Sequence, residues 1–183
     1  MQEKASDRLI ATAMRLFQER GFACVGINEI IREAGVARMS LYNNFASKED
    51  LALAAYGTLS ERRQASFDEA IAGANSPDEA VEAIFELAAE LSRKPGFRGC
   101  AFINLAGQLG KGDVRLNALV AHHKAALRQR FESLAASCEV QDAEVAGRQL
   151  LALWDGAIAD SAIEGTTASI MAATAAAKAI ICG

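Results

Sequence analysis

A chain of 183 residues, 51% hydrophobic and 23% charged, suffices for one good core, or for one small and one larger helical domain. No stretch approaches the roughly 18 uncharged apolar residues of a membrane span, and charges at Glu3, Lys4, Asp7 and Arg8 deny the first ten residues the apolar centre of a secretory signal. The net charge of −4 excludes a basic coat for nucleic acid along the whole chain, since residues 1–50 balance seven Lys or Arg against seven Asp or Glu and the rest is acidic. The expectation is a cytoplasmic protein with no membrane partner, whose DNA contacts, if it makes them, come from a small patch near the front.

Helical periodicity runs almost throughout, and no segment alternates as a strand would. Leu9, Ile10, Ala13, Met14 and Phe17 form one apolar stripe, ended by Gly21. A second, shorter helix carries Ile27, Ile30, Ile31 and Ala34 and stops at Gly35. A third places Leu41 and Phe45 four apart. Ser47 opens a long fourth helix to about Ala72, with Asp50 near the capping-box position. Ser76-Pro77-Asp78-Glu79 is a cleaner start, with serine as cap, proline first and glutamate three residues on. The fifth helix shows Val81, Ile84, Phe85, Ala88 and Leu91 on one face and ends before Pro95-Gly96. FRGCAFINLAGQLGKGD supplies a short sixth helix and a glycine-rich corner, and Leu116, Val120, His123, Leu127, Phe131 and Leu134 stripe the seventh. Two more helices follow, around Ala143–Ile163 and Thr167–Ile181.

The last two differ from the others. Leu150, Leu151, Leu153, Trp154, Ala157 and Ile158 spread over more than one face, and the final helix holds seven alanines between Ala168 and Ala179. A terminal helix apolar on several sides needs more than one partner surface. Small side chains permit close approach, so a homodimer through these two helices is expected over a purely intramolecular role.

Cys24, Cys100, Cys138 and Cys182 are far apart, with no C-x-x-C pair and no nearby histidine. That spacing is poor for zinc or for a disulfide scaffold, and the expectation is four buried, reduced thiols. No P-loop, dinucleotide glycine pattern, H-E-x-x-H or Glu-x-x-His pair is present, so neither a metal nor a cofactor is implied.

The stretch GVARMSLYNNFASKEDL, residues 35–51, gathers short polar groups between two helices. Two short helices joined by Gly35-Val36-Ala37 make a helix-turn-helix pattern, with Gly35 at the sharp turn. Val36, Leu41 and Phe45 would pin the second of them against Phe17 and Ile31. Ala37, Arg38, Met39, Ser40, Asn43 and Asn44 then point away from that core. Arginine grips guanine bidentately, asparagine grips adenine, and small residues approach base methyls, so their partner is expected to be double-stranded DNA. The Tyr42 hydroxyl is within reach of a phosphate, and Lys48 stands where free N–H groups and the dipole of the fourth helix favour one. These contacts set register while the exposed face reads sequence.

Residues 9–53 resemble the DNA-binding domain of the tetracycline-repressor (TetR) family. The matching runs are LIATAMRLFQERGF and GINEIIREAGVARMSLYNNFASKEDL, with Phe17, Gly21, Phe22, Ile30, Ala34-Gly35-Val36, Leu41-Tyr42, Phe45 and Lys48-Glu49 in order. RGCAFINLAGQL and LWDG also resemble segments of some members. Two departures stand out. Val25-Gly26 replaces a frequent pair of hydroxyl residues, which leaves a phosphate contact at Gly26 to the backbone, and Met39 replaces a common glycine. The resemblance implies a homodimeric repressor that binds a palindromic operator and is released by a small molecule.

For that effector the candidates lie in the rear half. Asn104 and Gln108, four apart on an apolar helix, share a face. Asp155 follows Trp154 in another apolar helix, and His123 falls on the apolar stripe of the seventh. His122 and His123 diverge by about 100° on a helix and cannot share a metal. Buried polar groups need partners, so these four, with Phe85, Phe102 and Trp154, outline a mainly apolar pocket between the fifth and eighth helices. Bonds to neighbouring backbone, water or core packing are the alternative for each.

The expectation is therefore an all-α protein of about nine helices. A three-helix helix-turn-helix domain would occupy residues 1–46 and a larger effector-binding and dimerisation domain residues 47–183. Two other readings stay open. One is a helical interaction protein that has lost DNA binding. The other is a small helical enzyme using Asp155 or His123 as general base, which lacks a nucleophile or metal set, so no enzymatic activity is expected.

Overall fold

The computed structural model describes residues 4–182, so the charge at Glu3 lies outside the described residues. Among them are nine helices and no strand: α1 (Ala5–Arg20), α2 (Ile27–Ala34), α3 (Arg38–Asn44), α4 (Lys48–Gly73), α5 (Pro77–Ser92), α6 (Ala101–Ala106), α7 (Val114–Ser137), α8 (Ala143–Glu164) and α9 (Ala168–Cys182). The order matches the sequence reading, and several helices carry their own start or stop. The Ser47 hydroxyl accepts from the Asp50 N–H at 3.0 Å, Ser76 accepts from the Glu79 N–H at 3.2 Å, and the Asp142 carboxylate accepts from the Val145 N–H at 3.0 Å. Such caps satisfy N–H groups that the helix itself leaves orphaned. Glu79 departs from the expected box. Its carboxylate accepts from the Asn75 N–H at 2.8 Å, one residue earlier than the cap.

The chain divides into two compact units, residues 1–61 with 101–121 and residues 62–100 with 122–183. This differs from a division at 46/47. The first unit extends beyond the helix-turn-helix because side chains of α4, α6 and α7 pack with it. Its core holds Leu9, Ala13, Leu16, Phe17, Ile30, Leu41, Leu51, Tyr56, Phe102 and Leu105. The rings of Phe17 and Tyr56 stack at 6.1 Å, and Phe102 meets Tyr56 edge-on at 5.8 Å.

In the second unit α5, α7, α8 and α9 bury Val81, Ile84, Phe85, Leu127, Phe131, Leu150, Trp154, Ile158, Ile170 and Ile181. All six expected stripe positions of α7 are buried. Gly147 lets α8 approach α7 closely: a Cβ there would stand 2.3 Å from Glu132 Cγ and 2.9 Å from the Glu132 backbone nitrogen. On α9 the buried positions are Ile170, Ala173, Ala177 and Ile181, while Ala168, Met171, Ala172, Ala175, Ala176 and Ala179 are exposed. On α8 an exposed stripe of matching pitch runs through Val145, Gln149, Ala152, Gly156, Ala159 and Ile163.

The cysteine expectation needs correcting. All four thiols are free, but Cys24 and Cys182 are exposed and Cys100 and Cys138 only half-buried. Cys24 lies in the α1–α2 turn and Cys182 at the end of α9, where few neighbours are available to cover a side chain.

Candidate nucleic-acid interface

The geometry of α3 is set from beneath. Leu41 is fully buried, and Val36 and Phe45 are half-buried on either side of it. The turn before α3 is braced by a contact with no local sequence signal. Arg8, on α1, donates from Nη2 to the carbonyls of Ala34 and, at 3.0 Å, Gly35. Gly35 adopts the left-handed conformation (φ 61°), and a Cβ there would meet Arg8 Nη2 at 2.8 Å, so the residue supplies both the turn and the room for the brace.

With that side packed, Ala37, Arg38, Met39, Tyr42, Asn43 and Asn44 are exposed and Ser40 half-exposed. Met39 is 69% exposed, an unfavourable placement for a large apolar side chain with no partner. The Arg38 guanidinium lies over the Tyr42 ring, 5.8 Å from its centroid, which holds both side chains extended from the helix. The Asn43 side chain has no hydrogen-bond partner among the described residues, whereas the Asn44 amide donates to the Ser40 carbonyl at 2.6 Å and is partly spoken for. Gly26 is exposed just before α2, where it caps only through its backbone, and a Cβ there would meet nothing within 4 Å.

Charge pairing explains how the neutral segment of residues 1–50 presents a positive face. Arg15 pairs with Glu19 and Glu33, Arg20 with Glu29, and Arg32 approaches Glu29 at 3.9 Å. Arg8 is committed to carbonyls. Lys4, Arg38 and Lys48 are left without a carboxylate partner among the described residues, and the last two flank α3. Lys48 Nζ sits 4.2 Å above the Phe22 ring, and burial pushes its ammonium pKa below the ordinary lysine value. The aromatic face therefore holds the cation at the start of α4 in place of a carboxylate.

Two further side chains tie this interface to α6 and α7 within the first unit. Gln108 Oε1 accepts from the Ala23 N–H at 3.0 Å while its Nε2 donates to the Asn104 carbonyl at 2.8 Å. Arg115 donates to the Asp50 carboxylate at 2.7 Å. That guanidinium first, and the Ser47 hydroxyl second, hold the Asp50 carboxyl below its ordinary range.

Residues 9–55 match the family model for bacterial regulatory proteins of the tetR family. Over its whole length the chain superposes on the crystal structure of a TetR-family transcriptional regulator from Streptomyces coelicolor, with a TM-score of 0.91 and 30% identity, covering 100% of this chain and 98% of that one. The chain belongs to the TetR family. E. coli NemR in its reduced form shares the fold at 20% identity and a TM-score of 0.88, over 98% and 97% of the two chains. Among curated relatives, the transcriptional regulator LmrA of Bacillus subtilis is 32% identical over 88 residues, 47% of each chain. The transcriptional regulator AcuR of Cereibacter sphaeroides is 33% identical over 112 residues, 58% of this chain and 49% of that one. The chain thus spans about half the length, or less, of the curated relatives it matches.

In this TetR-family chain the seven residues expected around an effector are distributed over both units. Phe102, Asn104 and Gln108 belong to the first unit. Phe102 is core, while Asn104 and Gln108 are exposed, the latter as the tether to Ala23. Phe85, His123, Trp154 and Asp155 belong to the second. There Trp154 meets Phe67 of α4 edge-on at 4.8 Å and Phe85 of α5 at 5.8 Å. Helical spacing places residues on a face but does not say whether facing side chains meet.

Asp155 is half-buried and paired with Lys124, whose Nζ also lies 3.6 Å from Cys100 Sγ. His123 is 2% exposed. Burial first, then the charges of Lys124, Arg63, His122 and Arg130, push its pKa down to about 3, so the imidazole is neutral at physiological pH. A groove of about 460 Å³ along α4 and α7 is lined by Asp68, Ile71, Gln129, Arg130 and Leu134 among others, and by none of the seven. No cluster of three or more His, Cys, Asp or Glu able to hold a metal occurs among the described residues, and no helix there is long and apolar enough to cross a membrane.

Proposed function

We propose that the protein is a homodimeric transcriptional repressor that reads a palindromic operator through α3 and is released by a small molecule. The observation that carries this reading is the α3 face. Arg38, Tyr42 and Asn43 project from a helix pinned by Leu41, between cations that no carboxylate neutralises. Arg38 and Asn43 supply base-edge recognition, and Lys48, Tyr42 and the backbone at Gly26 supply phosphate contacts. The uncompensated charge argues against an interaction protein that has lost DNA binding. The relatives are regulators, the Asp155 carboxylate is taken by Lys124, and His123 is buried, all of which argue against a hydrolytic or acid–base enzyme.

Dimerisation is proposed through the exposed small-residue stripes of α8 and α9, where Met171 is 70% and Ile163 82% exposed. A four-helix arrangement of two copies would cover both stripes. The effector acts by binding one spacing of the two α3 helices more tightly than the other. Gln108 and Arg115 are the contacts by which displacement of α6 or α7 would reach the helix-turn-helix.

The test is selection of bound duplexes from a random library, followed by sedimentation of the complex. The expected result is a palindrome with half-sites about one helical turn, roughly 34–36 Å, apart and two chains bound. Asn43→Ala should cost about 1–3 kcal/mol at one base position and relax preference there. No enriched sequence, or a single chain per site, would refute the reading.

A further inference from the structure

One side chain on α3 differs in kind from the polar groups around it. Two large apolar side chains stand exposed on this helix, Met39 at 69% and Tyr42 at 45%. The Arg38 guanidinium lies over the Tyr42 ring, 5.8 Å from its centroid, so that apolar face is partly covered within the chain. Met39 has no such cover among the described residues. The core does not take it either, because Leu41 holds the inner face of α3 and is fully buried. A single exposed hydrophobe needs no explanation on an ordinary surface. Met39 instead stands on the face proposed to meet DNA, with Tyr42 and Asn43 one turn on, three and four residues away.

The major groove offers an apolar side chain very little. Base pairs present hydrogen-bond donors and acceptors along their edges, and the apolar group among them is the C5 methyl of thymine. Packing a methionine against donors or acceptors strips them of water and returns no hydrogen bond. Packing it on a thymine methyl removes apolar surface from water on both sides. The thioether chain is flexible and polarizable, so it settles on a methyl without demanding one approach. Register follows from the helix. Four residues at about 1.5 Å each put Met39 about 6 Å from Asn43 along the axis, and base pairs follow one another at about 3.4 Å. With Asn43 on an adenine edge, Met39 stands over a base pair about two steps away.

We propose that Met39 is a specificity-determining residue that selects thymine by its C5 methyl, about two base pairs from the adenine read by Asn43 in each half-site. This rests on the repressor reading above and names part of the sequence which that reading leaves open. The contact carries no charge, so it discriminates between bases and adds nothing to the salt dependence of binding. In this it is the counterpart of Lys48, whose proposed phosphate contact is indifferent to sequence.

The experiment begins with duplexes selected from a random library by the full-length parent, Met39→Ala, Met39→Leu and Asn43→Ala. The parent should enrich thymine about two base pairs from the adenine whose preference Asn43→Ala relaxes. Met39→Leu should keep that thymine, and Met39→Ala should lose it at that position alone. Fluorescence anisotropy then compares the selected operator with the same duplex carrying deoxyuridine at that position in both half-sites. The exchange deletes the methyl and keeps every donor and acceptor. One buried methyl is worth about fourfold in affinity. The parent should therefore bind the uracil duplex about 15-fold more weakly, and Met39→Ala should bind both duplexes within about twofold of each other. The parent's penalty should be the same at 50 and 200 mM salt. Because the side chain is exposed, both Met39 variants should melt within about 1–2 °C of the parent. Unchanged parent affinity for the uracil duplex, equal penalties in parent and Met39→Ala, or a penalty that fades with salt would each overturn the proposal. So would a Met39→Ala chain melting well below the parent, since the side chain would then serve the fold. If a palindrome is enriched without any methyl effect, Met39 loses this role and the repressor reading stands. If no sequence is enriched, the DNA reading falls and the role of Met39 falls with it.

Discussion

Replacing Lys48 by alanine removes two interactions that can be separated by assay. The first is the stack of the ammonium 4.2 Å above the Phe22 ring, worth about 0.5–1 kcal/mol at a partly exposed site. In a protein of this size that corresponds to a fall of roughly 1–4 °C in melting temperature. The second is the proposed phosphate contact. Each phosphate neutralised on a duplex contributes about 0.9 to the slope of log K against log salt. Between 50 and 200 mM salt one contact therefore weakens binding about 3.5-fold, and the two of the proposed homodimer about 12-fold. The affinity lost by Lys48→Ala should accordingly shrink about 12-fold across that range, with the salt slope falling by about 1.8. Fluorescence anisotropy on a labelled operator at four or five salt concentrations reads this directly. Lys48→Arg keeps the charge and the aromatic stack and should retain the parent slope. If Lys48→Ala melts lower but shows an unchanged slope, the residue is only a structural partner of Phe22 and its place at the DNA is refuted.

Two predictions concern the second unit. His123 is held neutral, its pKa about 3 against an ordinary 6.5, so the unfolded chain takes up a proton that the folded one refuses. Stability tied to this group is full above pH 6.5 and is lost as the pH falls toward 3. The loss from pH 7 to 5 is about 2 kcal/mol, before most carboxylates titrate. Chemical denaturation should show this decline in the parent and a flatter profile in His123→Gln; parallel profiles would contradict the buried, neutral assignment. Gly147→Ala should destabilise by about 1–3 kcal/mol, because its new methyl would meet the Glu132 backbone as well as a movable side chain. A melting temperature equal to the parent's would mean that α7 and α8 are not in close contact.

How much of the site was legible in the sequence differs between its two halves. On α3 the outward placement of the candidate residues was legible, because Leu41 and Phe45 declare the inner face and Arg38, Tyr42 and Asn43 must then lie on the outer one. The bracing of that helix was not. Arg8 reaches Ala34 across 26 positions and Gln108 reaches Ala23 across 85. Asn104 and Gln108 share a face as expected, both are exposed, and Gln108 is bonded to Ala23 of the same unit.

The sequence by itself determined the helices, their ends and which stripe of each is apolar, because propensity, capping and 3.6-residue periodicity act over a few neighbouring residues. It also determined that α3 would carry unburied polar groups. Only the tertiary structure decided which charges cancel and which persist. Residues 1–50 contain equal numbers of acids and bases, yet pairing leaves Arg38 and Lys48 free of carboxylates among the described residues. The same sorting matched Asp155 to Lys124 and left Arg63 without a carboxylate partner among the described residues. Coulomb energies depend on distance and burial, and neither can be read from spacing along the chain.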